Sequence, residues 1–220
     1  YRSFKKRNTI AKKNSFKKLY HPVCVAIETL GHGCVIPKSS GKPDKFFEND
    51  GQLTKQYVRA ITVSSLSPKP FEHLWDLGAG SGSIAIEWLL SDKTTVASAV
   101  EINKKRANFI NRNCEKFGIN RIKILNDDIK NIFKKLEKPN AIFIGGGLNK
   151  SLFEKIWNFI PQKTRIVVNS VTIETESCMT NLFNIYGGSL KRIELSDIKI
   201  IGKKHSWSKN YPIVQWKIIK

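Results

Sequence analysis

The residues best suited to chemistry lie in His73-Leu-Trp-Asp-Leu-Gly-Ala-Gly-Ser-Gly-Ser-Ile-Ala-Ile-Glu-Trp88, where an apolar run and the acid Asp76 precede Gly78, Gly80 and Gly82 at alternate positions. An apolar helical pattern follows, so the segment reads as strand, tight loop and helix. Glycines there let the backbone turn with positive φ and approach a ligand, whose polar groups the loop N–H groups and the helix start can receive. The spacing is G-x-G-x-G, not the G-x-G-x-x-G of dinucleotide-binding loops. About 20 residues on, Glu101 closes the apolar run Val-Ala-Ser-Ala-Val-Glu, where the end of a second strand would meet a ribose. A glycine cluster alone can serve packing; joined to Asp76 and Glu101 it describes an adenosine-binding crevice.

Such a crevice needs a parallel sheet to hold it. Beyond the loop, apolar runs at Val96–Val100, Ile122–Leu125, Ala141–Ile144 and Arg165–Asn169 alternate with amphipathic segments at Lys104–Phe117, Ile129–Leu136, Leu152–Phe159 and Glu174–Tyr186. The alternation predicts an α/β fold, a parallel sheet with helices on both faces. Lys191–Ile201 and Tyr211–Ile219 read as two longer strands with no helix between them, a terminal antiparallel pair. Upstream, the spacing of Thr54, Val58, Ile61, Thr62 and Leu66 predicts a helix from Asp50 onward. Val23–Glu28 is strand-like, and the Gly/Pro/Ser-containing stretch His32–Pro43 puts a boundary near Gly41.

The chain has 220 residues, 40% of them hydrophobic, enough for one large domain with its own core. No apolar run approaches the roughly 20 residues of a membrane span and no signal-peptide pattern opens the chain, so a soluble, cytoplasmic protein is expected. It begins at Tyr1 and reads as a piece of something longer. Cys24, Cys34, Cys114 and Cys178 lie far apart with no C-x-x-C pair, which fits reduced thiols and implies no metal site. The formal charge of +20 has three readings: a nucleic-acid partner, an acidic small substrate, or a lysine-rich composition shared with the many Asn and Ile residues. Residues 1–20 hold Arg2, Lys5, Lys6, Arg7, Lys12, Lys13, Lys17 and Lys18 with no acid, the pattern of a solvated or disordered arm.

The form with Asp76 two residues before the first glycine resembles the first motif of S-adenosylmethionine-dependent methyltransferases. This resemblance implies a class I, Rossmann-like three-layer sandwich with a mostly parallel sheet, and S-adenosylmethionine as cofactor. Asp76, Gly78, Ala79, Gly80, Ser81 and Gly82 would wrap its methionine part, and Glu101 would accept from both ribose hydroxyls. Further stretches are similar to the decarboxylating precorrin methyltransferases of cobalamin biosynthesis: Gly41-Lys-Pro-Asp-Lys-Phe-Phe-Glu-Asn-Asp-Gly-Gln-Leu-Thr-Lys55, Val58-Arg59, Phe143-Ile-Gly-Gly-Gly147, Val168-Asn-Ser-Val-Thr-Ile-Glu-Thr175 and Pro212-Ile-Val-Gln-Trp216. The resemblance runs from about Val23 to the C-terminus. It implies methylation of a precorrin macrocycle at carbon-15, loss of carbon dioxide from the ring C acetate, and a homo-tetramer. His21–Glu28 looks like the end of a preceding tetrapyrrole methylase domain acting on carbon-5, which makes such a domain or subunit a candidate partner. The chain then divides into an arm or linker over 1–20, a linker or remnant over 21–40 and a methyltransferase domain over 41–220.

Carried over residue by residue, the resemblance sets Thr54 against the cofactor and Asp128 and Ile129 around the adenine, with Asp127 leaving that register open by one. The acceptor carbon belongs to an electron-rich enamine, so positioning matters more than a strong base. Because the substrate carries several carboxylates, Lys55 and Arg59 are expected at the cleft mouth. Gly145, Gly146 and Gly147 would leave room for a flat macrocycle, and Asn169 is a further substrate candidate. Glu174, His205 and Trp207 are weaker candidates, and no residue is forced into the role of proton donor. The competing enzyme is an RNA methyltransferase. Against it stand Gly-Gly-Gly in place of the Asn-Pro-Pro-Tyr type of sequence and the lack of a Cys-centred motif. Neither nucleic acid nor a membrane is therefore an expected partner. Intact Gly78, Gly80, Gly82 and Glu101 argue against a basic binding module with a vestigial loop.

Overall fold

In the computed structural model, which describes residues 35–220, the elements run α1 (Gln56–Leu66), β1 (His73–Leu77), α2 (Ser83–Ser91), β2 (Val96–Val100), α3 (Lys104–Phe117), β3 (Ile122–Leu125), α4 (Ile129–Ile132), β4 (Ala141–Ile144), α5 (Lys150–Phe159), β5 (Arg165–Ser170), α6 (Ile173–Tyr186), β6 (Ser189–Ile193), β7 (Ser196–Ile201), β8 (Lys204–Lys209) and β9 (Ile213–Ile219). The arm, the strand-like Val23–Glu28, Cys24 and Cys34 lie outside the described residues. Ile36–Lys220 form one unit.

Seven strands make one sheet in the order β3-β2-β1-β4-β5-β9-β6. The first five are parallel and β9 is antiparallel to both β5 and β6. Strands β1 and β4 are buried along their whole length, which their continuous apolar runs require of strands covered on both faces. Three tryptophans, Trp75, Trp88 and Trp216, are fully buried. Each indole N–H finds a carbonyl: Glu137 O at 2.8 Å, Val96 O at 3.2 Å and Gly187 O at 2.9 Å. The helices are stopped and started by local chemistry. Asn103 caps α3 by accepting from the Lys105 and Arg106 amides, and Gly118 ends it in the left-handed region.

Three expectations need correction. The helix expected from Asp50 begins at Gln56: Val58, Thr62 and Leu66 are buried, whereas Thr54 precedes the helix and Ile61 is exposed. Ile129–Leu136 holds one helical turn and a 3-10 turn, Phe133–Lys135. Lys191–Ile201 is not one strand. Its first part is β6, paired with β9 as expected, and the rest turns at Gly202 into a separate two-stranded hairpin, β7 with β8. His205 and Trp207 therefore stand on a strand of this hairpin, not in a loop.

Candidate active site

The crevice lies at the C-terminal ends of β1, β2 and β4, where the strand order reverses about β1. The glycine loop leaves β1 and is laced to β2, the Gly78 and Ala79 amides donating to Val100 O at 2.9 and 3.0 Å. Helix α2 has no side-chain cap of its own at Gly82. Asp76, buried at the end of β1, supplies the missing acceptor through Oδ2, which takes the Ala85 amide at 3.0 Å. Its Oδ1 is buried with no partner among the described residues. Burial, opposed by the Ala85 hydrogen bond and reinforced by the nearby Glu101 charge, pushes the Asp76 carboxyl up to about 7.

Glu101 is buried and bridges the crevice walls. Its Oε2 accepts from the Gly80 amide at 2.8 Å and its Oε1 from the Asn103 amide at 2.9 Å, each oxygen keeping a further acceptor direction. Asn126, from the end of β3, holds the neighbouring carbonyls of Glu101 and Ile102 at 2.8 and 2.9 Å.

The alternate glycines answer to different demands. A Cβ on Gly82 would sit 2.7 Å from the Ile110 side chain, so this glycine lets α2 start against α3. Gly80, at φ +57°, has only Gln52 O within 4 Å of such a Cβ, at 3.9 Å, and thus borders open space. Ser81 is buried and its carbonyl accepts from Asn113, while Ala79 packs on the cluster that holds Ile110. Across the crevice, a Cβ on Gly145 would press on the Phe143 ring at 3.0 Å and Gly78 O at 3.1 Å; one on Gly146 would meet nothing within 4 Å. Gly147 also borders open space.

The sequence candidates separate once placed. Asp76, Gly78, Gly80, Glu101, Gly145 and Gly146 come together. Asp128 caps α4 through the Lys130 amide at 2.9 Å, Asp127 accepts from the Asp128 amide and from Asn131, and Ile129 packs on the main core. Lys55 is exposed at the N-cap of α1. Arg59 is not at a cleft mouth: it is fully buried, its guanidinium spent on Glu87, Asp44 and the carbonyls of Thr54 and Lys42, which a substrate carboxylate would have to displace. Asn169 is likewise committed, donating to Thr62 at 2.8 Å and accepting from Gln215 at 2.9 Å. The residues that sequence reasoning missed are Glu87, Asn113 and the backbone of Gln52. Glu87 carried a signal, a lone acid inside the apolar helix Ile-Ala-Ile-Glu-Trp-Leu-Leu.

A sheet ordered 3-2-1-4-5 before an antiparallel closing strand, with a glycine loop after β1 and an acid after β2, has the fold of a class I methyltransferase. Within that class the chain belongs to the precorrin methyltransferase domain family, whose model matches residues 45–220. A precorrin-6Y C(5,15)-methyltransferase (decarboxylating) from Sinorhizobium sp is 37% identical over 206 residues, covering 92% of this chain and 50% of that protein. This chain thus spans about half the length of the first curated relatives it matches. The "Probable cobalt-precorrin-6B C(15)-methyltransferase (decarboxylating)" of Saccharolobus solfataricus is 35% identical over 64% of this chain and 73% of its own length. Among solved structures, the C-terminal domain of precorrin-6Y C5,15-methyltransferase from Rhodobacter capsulatus superposes with a TM-score of 0.81 at 34% identity, covering 84% of this chain and all of that one.

Proposed function

We propose that this chain methylates carbon-15 of a precorrin macrocycle and removes the ring C acetate carboxyl, using S-adenosylmethionine, in cobalamin biosynthesis. The observation that carries the reading is the open space beside Gly146, set directly against the backbone of the glycine loop: a Cβ on Gly78 would lie 3.2 Å from Gly146 N and O. The names of the relatives support the reaction, and a relative named for the carbon-15 step supports assigning that step to the residues matched here.

The residues fit the cofactor. The orphaned Asp76 Oδ1 suits an ammonium group, the free acceptor directions of Glu101 suit the ribose hydroxyls, and Gly80 leaves the loop open to close approach. Thr54 lies two residues beyond Gln52, whose carbonyl faces Gly80, and Asp128 and Ile129 follow β3 at the start of α4, where the adenine would lie. S-adenosylmethionine supplies an electrophilic methyl. The chain supplies orientation, with the crevice floor of backbone glycines holding the acceptor carbon in line. The exposed Lys55, three residues beyond Gln52, is assigned the attraction of the substrate carboxylates. In the decarboxylation, the electron pair of the breaking carbon–carbon bond enters the conjugated ring and a proton ends on the new methyl carbon.

Incubation with S-adenosylmethionine and purified precorrin, followed by mass spectrometry, tests the proposal. Gain of a methyl with loss of carbon dioxide is expected. Labelled methyl appearing in bulk RNA beside an inert tetrapyrrole would overturn it.

Asp76 gives the binding a pH dependence. With its carboxyl near 7, it is protonated below that pH and a cationic ligand must displace the proton, so affinity falls as pH drops below about 7 and levels off above it. Calorimetry at pH 8 and pH 6 should show S-adenosylmethionine binding weaker by up to about tenfold at the lower pH, one proton per site being the limit. Asp76→Asn should flatten this acid limb, and an unchanged limb in that variant would remove Asp76 from the site.

We also propose that the chain self-associates, as a homo-tetramer, through the β7–β8 hairpin. Ile198 stands opposite Trp207 and Ile200 opposite His205 on one face, and Ile198, Ile200 and Trp207 are 60%, 73% and 71% exposed. A two-stranded hairpin is marginal in water without a cover, and such a patch marks a contact surface. Light scattering of Ile200→Ser/Trp207→Ser should report monomers where the unmodified chain gives an assembly; an unmodified chain that is itself monomeric refutes the proposal. No helix among the described residues is long and apolar enough to cross a membrane; a cytoplasmic location is proposed from the proposed reaction on a precorrin.

A further inference from the structure

We infer that Arg59 is a positioning residue for the cofactor site, acting through the segment Gly41–Lys55. The inference rests on the reading that the crevice holds S-adenosylmethionine. The segment makes an arch. Its two ends meet at a buried clamp made by Arg59 of α1 and Glu87 of α2, joined Nε to Oε1 at 2.6 Å with both side chains fully buried. Glu87 also takes the amides of Gly41 and Lys42 at 2.6 and 2.8 Å, fixing the first end. Arg59 donates to Lys42 O and Asp44 at that end and to Thr54 O at the other, and its guanidinium lies 4.5 Å from the Phe47 ring centroid. One planar fork therefore holds residues that are twelve positions apart in the chain, Lys42 and Thr54.

The middle of the arch rests on α3 and on the glycine loop itself. Asn113 accepts from the Glu48 amide at 2.7 Å and donates to Glu48 O at 2.9 Å and to Ser81 O at 3.0 Å, so one side chain joins arch and loop. Arg106 and Arg112 pair with Asp50 and Glu48 at 2.8 and 2.6 Å. The arch then passes over the central glycine, Gln52 O lying 3.9 Å from where a Gly80 Cβ would be. Moving the clamp moves the wall that faces Gly80 and the backbone that carries Thr54. The cation expected to meet substrate carboxylates serves instead to set the height and angle of this wall.

A lysine at this position keeps the charge beside Glu87 but offers a single point in place of a fork, and cannot span Lys42 O and Thr54 O together. Arg59→Lys should therefore weaken S-adenosylmethionine about tenfold by calorimetry, with kcat at saturating cofactor within about threefold, and should speed hydrogen exchange at the Glu48 and Gln52 amides while those of β1 and β4 keep their protection. Asp44→Ala cuts one strand of the clamp and leaves the Arg59–Glu87 pair intact. It carries the same test if Arg59→Lys does not fold, with a loss of at least about threefold expected. A folded variant with wild-type affinity, whatever its melting temperature, overturns the inference. Failure of the unmodified chain to bind S-adenosylmethionine would instead overturn the reading beneath it.

Discussion

Gly80→Val is expected to lower S-adenosylmethionine affinity by about 100-fold or more, while the protein still folds. Two effects follow, one on the stability of the fold and one on the affinity. At φ +57° Gly80 occupies the left-handed region, where a β-branched residue is strained by about 1–2 kcal/mol or more. Its Cβ direction is free of protein except Gln52 O at 3.9 Å, so the isopropyl group clashes with little of the fold and fills the space in which the proposed ligand would lie. A 100-fold loss corresponds to about 2.7 kcal/mol, which exclusion of the ligand from this space supplies readily. Gly82→Ala is the contrasting substitution. Its Cβ would strike Ile110 at 2.7 Å, so its cost should appear in the melting temperature more than in the affinity. Calorimetry and thermal melts on both variants check the pair. A folded Gly80→Val that binds within about threefold of the unmodified chain would show that the ligand does not approach this glycine.

Gly146→Leu is expected to abolish tetrapyrrole turnover, by about 100-fold or more, with cofactor affinity changed only a few-fold. The residue borders open space, nothing lying within 4 Å of an added Cβ, so a side chain can start there without striking the protein. Neither Glu101 nor Asp76, the acids assigned to the cofactor, is altered. The same change at Gly145 would be uninformative, because a side chain there meets the Phe143 ring and Gly78 O and disturbs the glycine loop. The measurement is a single-turnover assay with precorrin next to a calorimetric titration. Full turnover by Gly146→Leu would place the macrocycle elsewhere.

The parallel half of the fold was legible because each of its strands is a short apolar run with its own turn. The readings of Val96–Val100, Ile122–Leu125 and Ala141–Ile144 agree with β2, β3 and β4. The hairpin was not read, because the alternation of Lys191–Ile201 carries no glycine or proline at Glu194-Leu195, where β6 gives way to β7; the turn at Gly202-Lys203 was the available signal. That Asp76, Glu101 and the glycines come together could be read in advance because their placement is local, set by strand ends and loop geometry. The buried partners of Arg59 and Asn169 could not be read for the opposite reason. Sequence shows that a side chain is charged or polar but not which way it faces, and their partners Glu87 and Gln215 lie 28 and 46 residues away.

The position of β9 bears on the order in which this domain can assemble. The last strand of the described residues is an interior one, seated between β5 and β6, with Lys220 N and O closing onto Thr164 and Lys163. During synthesis each parallel strand after β1 finds a neighbour already made when it emerges. Strand β6 and the hairpin after it do not, since β6 reaches the sheet only through β9. The nascent chain must therefore carry an unattached strand and a hairpin until β9 leaves the ribosome, a late non-local closure of the kind that slows folding and invites wrong strand partners.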